Sequence, residues 1–483
     1  MQVVICYNLG KKTKGMSMEE KKFDVCVIGS GPGGYPAAIK LAQNGKKVAL
    51  VEASEIGGTC LNRGCIPTKA LIANAEVLSH IRKAKDFGIE VSGVKVNFPM
   101  MQKTKDETVK NLKKSLEGLI LSNNITIIRG YATFVGARKL EVKGQDNCFV
   151  TADHIIIASG SEAREIPAFA FDNTLIHSST SILQLEKLPE KMAIVGGGVI
   201  GCEFASLYSE LGVKVTIIEM LDRIIPLEAP ALSQALTKSF TSRGIEIQTG
   251  IAVASIEKKA KGVVITLADK KQIEASCTLI AIGRSLNSDK LGLEKAGVQV
   301  EKGAIKVDDT MKTNVPGVWA IGDVTGKSLY AHVATHQGIV AASNILGHSS
   351  HMNYDAVPGV IFTIPEIGSC GMTLEEAKKR GYTSAKLSTY PFSALGKAQA
   401  AHQTEGFAQI VTDEKTGQVL GGQVIGHEAG ILLSSIAYAI ANELTVECIT
   451  ETIHAHPTLS EVWMEAAFLA QDTPLHYPPI RKK

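Results

Sequence analysis

The chain has 483 residues, with 51 Lys and Arg against 48 Asp and Glu. This length exceeds what one hydrophobic core supports, so we expect three or four domains. The near balance of charge argues against nucleic acid as the main partner, because nucleic-acid-binding domains carry a strongly basic face. The sequence contains no apolar run of the roughly 20 residues that a membrane-spanning helix needs. We therefore expect neither a nucleic-acid nor a membrane partner.

The first 21 residues are predicted to be a flexible leader, with Met1, Met16 or Met18 as the start of translation. Their apolar part precedes the lysines and no small-residue cleavage site follows, which is unlike a secretory signal peptide. The absence of arginine before Arg63 is unlike a mitochondrial transit peptide. Nine cysteines, an odd number spread through the chain, predict a reducing compartment and a cytoplasmic location.

An internal repeat organises the first half of the chain. Residues 23–54 and 190–221 each contain an apolar run, a glycine-rich turn, a helix-like stretch, a glycine stop and a second apolar run ending in an acid. The two copies align at an offset of 167 residues without a gap. The corresponding pairs are Gly29 and Gly196, Gly31 and Gly198, Gly34 and Gly201, Gly45 and Gly212, and Glu52 and Glu219.

Each copy predicts a βαβ unit with the dinucleotide-binding fingerprint. The first glycine makes the strand-to-helix turn, the second lets the backbone approach a pyrophosphate, and the third lets helix and strand pack closely. The helix N-terminus presents free N–H groups to the phosphates. The acid can accept hydrogen bonds from ribose hydroxyls. Two such copies therefore predict two bound dinucleotides.

The acid of the second copy indicates which nicotinamide cofactor is used. A carboxylate at Glu219 suits the free 2′-hydroxyl of NAD and repels the 2′-phosphate of NADP, which prefers arginine. Arg223 lies nearby in the sequence, but we interpret its segment as the following loop. The sequence therefore predicts NAD.

A cysteine pair follows the first copy, in the segment GGTCLNRGCIPTK at residues 57–69. Cys60 and Cys65 are five positions apart, which on an ideal helix is about 7.5 Å of rise. A disulfide needs Cα atoms about 4.4–6.8 Å apart. A bond between the two cysteines therefore requires a distorted helical turn, with which Gly64 and Pro67 are compatible.

Other interpretations of this pair are two free thiols, a zinc half-site and a structural disulfide. Zinc pairs usually have two to four intervening residues and need two further ligands, but the sequence has no second Cys/His cluster. A reducing compartment disfavours a structural disulfide. The position beside the first dinucleotide unit favours a redox-active pair. No metal site is predicted.

A second cluster of chemically active residues occurs near the C-terminus, in HAHPTLSE at residues 454–461. Thr458 and Glu461 form the S/T-x-x-E pattern, which is typical of a capping box at a helix start. His454 and His456 are compatible with ordinary loop histidines, although a side chain with a pKa near 6.5 also suits proton transfer. The residues alone leave structural and catalytic roles open.

The cysteine segment resembles the redox motif of the pyridine nucleotide–disulfide oxidoreductases, and within that family most closely that of the dihydrolipoamide dehydrogenases. The resemblance runs from Phe23 to about residue 470. Further matches follow in chain order: ASGS at 158–161, with Ser in place of the family's Thr, the Gly283–Arg284 turn, VWAIGDV around Asp323, LYAH at 329–332 and HPTLSE at 456–461. The segment VATHQG at 333–338 departs from the Lys-Ala-Glu of many dihydrolipoamide dehydrogenases, which bears on the tuning of the flavin edge.

The resemblance implies separate roles for the two cysteines. Cys60 is the interchange thiol that attacks the substrate disulfide, and Cys65 is the thiolate that faces the flavin. His456, oriented by Glu461, takes a proton from the dithiol. In the family this base acts on the cysteines of the other subunit, so the resemblance implies an obligate homodimer.

The resemblance also implies two sets of cofactor-binding residues. The expected FAD-binding residues are Gly29, Gly31, Gly34, Glu52, Thr59, Lys69, Ala132, Ser159, Gly160, Ser161, Asp323, Leu329, Ala331 and His332. The expected NAD-binding residues are Gly196, Gly198, Gly201, Glu203, Glu219, Val253 and Gly283. Lys69 is expected to lie near the flavin and to pair with Glu203.

The implied fold is α/β, with two Rossmann-like dinucleotide-binding domains, a small central domain and an α+β C-terminal dimerisation domain. After the leader, the predicted limits are 22–164 for the first half of the FAD-binding domain, 165–288 for the NAD-binding domain, 289–355 for the central domain that completes the FAD site, and 356–483 for the dimerisation domain.

The implied reaction is oxidation of protein-bound dihydrolipoamide with reduction of NAD. The expected partners are lipoyl domains of 2-oxoacid dehydrogenase acyltransferases and the glycine-cleavage lipoyl protein. A glutathione-type reductase shares the cysteine motif and the HPT ending, but Glu219 argues against it. A non-catalytic flavoprotein subunit is disfavoured by the intact cysteines and His456. The C-terminal tail lacks the cysteines of mercuric reductases and large thioredoxin reductases.

Overall fold

The first repeat forms the centre of a seven-stranded sheet. The computed structural model describes residues 18–478. The elements of this region are β1 (Glu19–Ile28), α1 (Gly34–Gln43), β2 (Val48–Glu52), α2 (Gly58–Arg63), α3 (Cys65–Lys83), α4 (Phe98–Ser122), β3 (Thr126–Arg129), β4 (Tyr131–Gly136), β5 (Lys139–Lys143), β6 (Cys148–Ile157) and β7 (Ser161–Ala163). Strands β3-β2-β1-β6 run in parallel, and β5 and β4 extend β6 antiparallel. The reversal of strand order next to β1 places a cofactor crevice at the carboxyl ends of β1 and β6.

The predicted leader, residues 1–21, overlaps β1. Residues 19–21 pair in parallel with the start of β6, because β6 supplies hydrogen-bond partners even to this polar stretch. The apolar pattern begins only at Phe23, so the sequence placed the start of the strand too late. Residues 1–17, with Met1, Met16 and Cys6, lie outside the described residues.

The second repeat forms a five-stranded parallel sheet. Its elements are β8 (Ile176–His177), β9 (Lys191–Val195), α5 (Val199–Glu210), β10 (Lys214–Ile218), α6 (Pro230–Ser242), β11 (Glu246–Gln248), β12 (Val253–Lys259), β13 (Gly262–Leu267), β14 (Gln272–Ala275) and β15 (Cys277–Ile280). The order is β11-β10-β9-β15-β8, with β12-β13-β14 as a separate antiparallel sheet. The central strands are apolar and buried, as expected for parallel strands covered on both faces.

Two short strands carry the chain into this second region and back. β7 pairs antiparallel with β16 (Arg284–Leu286), and Ser161 lies opposite Leu286. This crossing lies close to residues 165 and 288, the predicted limits of the NAD-binding domain. It brings the ASGS and Gly283–Arg284 segments side by side.

The chain then returns to the first sheet. The elements are α7 (Leu293–Ala296), β17 (Val300–Glu301), β18 (Ala304–Ile305), β19 (Val318–Ala320) and α8 (Ala331–Ile345). β19 pairs in parallel with β6, and Trp319 lies opposite Ile156. α8 packs so closely on the start of α1 that a Cβ built on Gly338 would lie 2.5 Å from the carbonyl oxygen of Gly33. A distant segment therefore completes the first dinucleotide-binding unit.

The last region is an antiparallel sheet covered by helices. Its elements are β20 (Gly359–Ile361), β21 (Glu366–Gly371), α9 (Leu374–Lys379), β22 (Ala385–Pro391), α10 (Gly396–Ala400), β23 (Phe407–Asp413), β24 (Val419–Gly426), α11 (Ala429–Ala441), α12 (Val446–Thr450) and α13 (Glu461–Ala470). The strand order is β20-β21-β24-β23-β22. Buried Trp463 joins the two main helices, because its Nε1 donates to the carbonyl oxygen of Leu432 at 2.8 Å.

The apolar stretch from 430 to 441 predicts a buried helix, and α11 occupies it. One face of α11 is nevertheless exposed, with Ile431 at 70% and Tyr438 at 68% exposure. The sheet covers the opposite face, and nothing within residues 18–478 covers the face that carries Ile431 and Tyr438. Among the helices of residues 18–478, none is long and apolar enough to cross a membrane.

Candidate active site

The first glycine-rich turn has the geometry of a dinucleotide cradle. Gly29, with φ +99°, follows β1, and a Cβ on it would lie 2.4 Å from the carbonyl oxygen of Ala158. A Cβ on Gly34 would lie 1.9 Å from the carbonyl oxygen of Gly29. A Cβ on Gly31 would meet only the Cα of Gly58, at 4.0 Å. The turn is therefore closed towards the protein and open where a pyrophosphate would lie, so it fits FAD.

The second turn repeats this geometry. Gly196 has φ +108°, and a Cβ on it would lie 2.4 Å from the carbonyl oxygen of Ala281. A Cβ on Gly201 would lie 1.9 Å from the carbonyl oxygen of Gly196, while one on Gly198 would meet no atom within 4 Å. The space in front of α5 is thus open for the pyrophosphate of NAD.

The acid of the first repeat is fixed to its glycine-rich turn. Glu52 Oε2 accepts hydrogen bonds from the Ser30 amide at 2.9 Å and the Ser30 hydroxyl at 2.6 Å, and Glu52 Oε1 accepts from the Ser54 amide at 2.8 Å. These bonds hold the carboxylate in one orientation towards the ribose position. The sequence did not predict the role of Ser30, although the alignment of the repeats pairs it with Gly197.

The acid of the second repeat is also fixed to its turn, here by two backbone amides. Glu219 accepts from the amide of Gly197 at 2.6 Å and from the amide of Leu221 at 2.8 Å. Arg223 turns its guanidinium towards the carbonyl oxygen of Pro226, 2.9 Å away. The arginine is therefore engaged within its own loop, as the sequence indicated.

Two predicted flavin contacts from distant segments meet at one point. The Ser161 hydroxyl donates to the Asp323 carboxylate, and Arg284 donates to the Ser161 hydroxyl and carbonyl oxygen, each at 2.7 Å. Ser159 is held by Asn287, whose carbonyl oxygen accepts from the Ser159 hydroxyl at 2.7 Å. The resemblance placed these segments in the same site, but it did not indicate that Arg284 joins them.

Helix α8 connects this point to the first glycine-rich turn. Buried Gln337 accepts from the amide of Gly322 at 2.6 Å and donates to the Tyr354 hydroxyl at 2.9 Å. The Thr335 hydroxyl donates to the carbonyl oxygen of Pro32 at 2.9 Å. Both residues belong to the VATHQG departure, so this segment is bonded to two turns for which cofactor contacts are predicted. The sequence singled out the segment but could not assign partners to its side chains.

The remaining predicted cofactor residues belong to several different elements. Among the FAD set, Thr59 lies on α2, Ala132 is buried in β4, Gly160 has φ +71°, Leu329 is exposed, and Ala331 and His332 begin α8, with burial lowering the pKa of His332. Among the NAD set, Val253 begins β12 and Gly283 has φ +110°. Their contacts with cofactors stay predictions.

The cysteine pair lies at a break between two helices. α2 ends at Arg63, Gly64 adopts the non-helical angles φ −144° and ψ −111°, and α3 begins at Cys65. A Cβ on Gly64 would lie 3.4 Å from the Cα of Cys60. The chain therefore turns back at Gly64 and brings Cys65 towards Cys60. The predicted distortion of the helix at this point is confirmed.

The two thiols are free and electrostatically unequal. The pKa of Cys65 is lowered to about 7, first because the Cys60 side chain donates a hydrogen bond to it and then because the Lys69 ammonium is near, while burial and Glu203 oppose the shift. The same hydrogen bond and burial raise the pKa of Cys60. When the pair is reduced, Cys65 therefore loses its proton before Cys60 does.

An ion pair flanks this dithiol. Lys69 follows Cys65 by one turn on α3, and its Nζ lies 2.8 Å from both carboxylate oxygens of Glu203 on α5. The carboxylate is buried, whereas about a third of the lysine side chain is exposed. The pair joins the two dinucleotide-binding regions, as the resemblance implied.

His456 and Glu461, the first residue of α13, form a hydrogen-bonded pair. His456 Nδ1 lies 2.7 Å from Glu461 Oε1, and Glu461 Oε2 accepts from the Thr458 amide at 2.8 Å. The Thr458 hydroxyl donates to the carbonyl oxygen of Ala455. Of the two hydrogen bonds of a capping box, only the one from the Thr458 amide to Glu461 is therefore formed. Glu461 thus orients both the imidazole and the loop that carries it.

The cysteine pair and the His456–Glu461 pair, which together form the predicted catalytic set, do not meet within one chain. His456 exposes 76% of its side chain. In the part of the chain that the structure describes, it makes no hydrogen bond to either cysteine. His454 is held differently, with Nε2 3.1 Å from the carbonyl oxygen of Ile449, which agrees with a structural role.

Of the other cysteines, Cys26, Cys148, Cys202, Cys277 and Cys370 are buried free thiols. Cys448 differs because it is exposed on α12. Within residues 18–478 there is no group of three or more His, Cys, Asp or Glu side chains that could hold a metal ion.

Comparisons with known proteins agree with this architecture. The family model described as pyridine nucleotide-disulphide oxidoreductase matches residues 23–338, and the dimerisation-domain model of the same family matches 357–467. The dihydrolipoyl dehydrogenase of Chlamydia pneumoniae is 51% identical over 95% of this chain and 99% of the relative. That of Geobacillus stearothermophilus is 38% identical over 94% and 97%.

A solved structure shows the same fold. The crystal structure of LpdA from Mycobacterium tuberculosis superposes with a TM-score of 0.87 at 28% identity, over 93% of this chain and 99% of that one. Both dinucleotide cradles fit the cofactors of these enzymes, which are FAD and NAD. The chain therefore belongs to the pyridine nucleotide-disulphide oxidoreductase family, and it is an α/β enzyme with FAD and NAD as cofactors.

Proposed function

We propose that this enzyme oxidises a protein-bound dihydrolipoyl group to its cyclic disulfide and reduces NAD. The observation that carries the proposal is the reduced cysteine pair, in which the pKa of Cys65 is about 7 and that of Cys60 is raised. In the sequence the pair lies between the two glycine-rich turns, and Lys69, one turn after Cys65, is bonded to Glu203 on the helix that follows the second of these turns. The name dihydrolipoyl dehydrogenase, carried by relatives that match almost the whole chain, supports the substrate.

The difference in pKa between the two thiols determines which sulfur the substrate attacks. In the oxidised enzyme, a substrate thiolate attacks the sulfur of Cys60, which breaks the Cys60–Cys65 bond and releases Cys65 as a thiolate. A thiol of lower pKa leaves faster, so attack at Cys60 is favoured over attack at Cys65. The second substrate thiol then displaces Cys60, which yields the cyclic disulfide and the enzyme dithiol.

We propose that His456 serves as base for this exchange and that it acts across a homodimer. It receives a proton from the substrate dithiol through the ring nitrogen opposite the one bonded to Glu461. Its exposure and its separation from the cysteines of its own chain favour action on a second chain. The apolar face of α11, with Ile431 and Tyr438, is suited to burial in such a dimer.

We assign a different cofactor to each of the two cradles. We place FAD at the turn of Gly29, with Glu52 on its ribose and Asp323 beyond the pyrophosphate, and NAD at the turn of Gly196, with Glu219 on its ribose. When bound, the two cofactors supply the two-electron acceptor chemistry that returns the dithiol to the disulfide. The engagement of Arg223 with its own loop supports NAD over NADP.

The proposed partners are lipoyl domains of 2-oxoacid dehydrogenase complexes and of the glycine-cleavage system. We also propose a cytoplasmic location, because the cysteines are free thiols within residues 18–478.

A turnover assay tests the proposed activity. The purified holoenzyme should reduce NAD with dihydrolipoamide, and faster with a reduced lipoyl domain. Turnover with NADPH and glutathione disulfide, but not with NAD and dihydrolipoamide, would identify a glutathione-type reductase instead. Failure with both pairs, despite bound flavin, would identify a non-catalytic flavoprotein.

A further inference from the structure

The Lys69–Glu203 ion pair has a third neighbour that belongs to the C-terminal region. Phe362 follows β20, and the centroid of its ring lies 4.4 Å from Lys69 Nζ. Its backbone amide donates to Glu203 Oε1 at 3.0 Å. One residue of the segment matched by the dimerisation-domain model therefore contacts both members of the ion pair.

The segment that carries Phe362 is fixed independently of its ring. The amide of Ile364 donates to the Ser206 hydroxyl on α5 at 3.0 Å. Arg243 donates to the carbonyl oxygen of Ile364 and lies 2.7 Å from Glu210. These backbone bonds hold the segment against α5, so a change in the Phe362 side chain leaves its backbone in place.

Lys69 needs such support because its side chain is long and about a third exposed. The face of an aromatic ring attracts an ammonium group through its quadrupole, and the attraction grows as water is excluded. The ring and Glu203 together confine Lys69 Nζ. Cys65 and Lys69 are four residues apart on α3 and hence share one helix face.

We propose that Phe362 is a positioning residue whose ring holds the Lys69 ammonium between Glu203 and the Cys65 thiolate. The dimerisation region then acts on the thiolate within its own chain, in addition to supplying a base to the other. This inference rests on the redox role of Cys65 in the proposed function.

The titratable and charged groups that face Cys65 come from four elements. They are Cys60 on α2, Lys69 on α3, Glu203 on α5 and Arg284 on β16. Loss of the ring frees Lys69 to move towards solvent, which weakens the positive potential at Cys65 and raises its pKa. The amide bond from Phe362 to Glu203 persists in any substitution other than proline.

The test is a pH titration of the long-wavelength thiolate–flavin absorbance in anaerobically reduced holoenzyme. Phe362→Leu, which keeps apolar bulk without an aromatic face, should lower the acid dissociation constant of Cys65 about threefold, a size typical of a cation–π contact. Phe362→Tyr should keep the wild-type midpoint. Phe362→Met is the second ring-free variant if the leucine protein does not fold.

A double-mutant cycle separates positioning from general structural damage. In a Lys69→Gln background, Phe362→Leu should produce no further shift, because no ammonium remains to be held. A full additional shift there, or an unshifted midpoint in both ring-free variants, would overturn the proposal. Absence of the absorbance band in wild-type enzyme would instead overturn the proposed role of Cys65 itself.

Discussion

The two dinucleotide-binding regions share one plan and differ in what surrounds it. In the first, β3-β2-β1-β6 is extended by β19, which comes from far downstream. In the second, β11-β10-β9-β15 is extended by β8, which precedes it. β6 runs unbroken from the antiparallel extension into the parallel sheet, whereas its counterpart is divided at Ser276 into β14 and β15.

The contacts around the two glycine-rich turns differ more than the turns themselves do. The first turn is held by Ser30 and by Thr335 from α8, and Gln337 of the same helix holds the turn at Gly322. At the second, Gly197 replaces Ser30, because a Cβ there would lie 2.9 Å from the side chain of Ile224, and the space at Gly198 is open. A turn fastened by distant segments suits a resident cofactor, and an open turn suits one that exchanges in each cycle.

The largest expected effect is on the thiol pair beside the enclosed site. Cys60→Ser should abolish oxidation of dihydrolipoamide while FAD stays bound, because the attacked sulfur is lost and the cradle is untouched. Activity with NAD and absorbance of bound flavin measure the two properties. Loss of FAD with the activity would mean that the pair is structural.

Removal of the proposed base should leave both dinucleotide sites working. His456→Ala is expected to slow dihydrolipoamide oxidation about 10²–10⁴-fold, the usual contribution of a general base. Reduction of artificial acceptors by NADH should persist, since it uses only the cofactor sites. Equal losses in both assays would contradict the assignment of His456.

Matched glycine substitutions should separate the two sites. Gly201→Ala places a Cβ 1.9 Å from a backbone oxygen, which we expect to cost about 1–3 kcal/mol locally and to weaken NAD binding while FAD is retained. Gly34→Ala makes the same clash at the first turn and should release FAD. Gly118→Ala, an exposed helical position with no atom within 4 Å, is the control. If Gly201→Ala lost FAD as well, the sites would not be separable.

A smaller effect on FAD binding is expected from loss of the hydrogen bond between Gln337 and Gly322. Gln337→Met removes the acceptor of the buried Gly322 amide, an unsatisfied group that costs about 1–3 kcal/mol. We therefore expect about tenfold weaker FAD binding in reconstitution of the apoenzyme, with NAD affinity unchanged. Gln337→Glu retains an acceptor and should recover most of the affinity; equal losses in both variants would exclude this role.

The smallest perturbation is a change of pH. Because the pKa of Cys65 is lowered to about 7, its thiolate is present above that pH and is lost below it. The thiolate–flavin absorbance of the reduced enzyme should therefore rise with pH through a midpoint near 7, and Cys65→Ser should lack it. An absorbance that stayed constant across this range would place the charge elsewhere.

The features that the sequence predicted are those encoded within short segments. The turns at Gly29 and Gly196 and the break at Gly64 depend on glycine at fixed spacing, because a Cβ at these positions meets backbone within a few residues or on a neighbouring strand. The two βαβ units follow from the repeat, and the domain organisation was predicted from the family resemblance. The late start assigned to β1 is the exception, because pairing with β6, and not apolar pattern, decides where that strand begins.

By itself, then, the sequence determined two dinucleotide turns, a cysteine pair in a distorted helix and a histidine–glutamate motif. Tertiary structure alone decided which side chains support them. Gln337 with Gly322, Arg284 with Ser161 and Phe362 with Lys69 are joined only by packing. Such contacts produce no repeating pattern in the sequence. A single hydrogen bond or ring contact constrains only two residues, and these can be any distance apart along the chain.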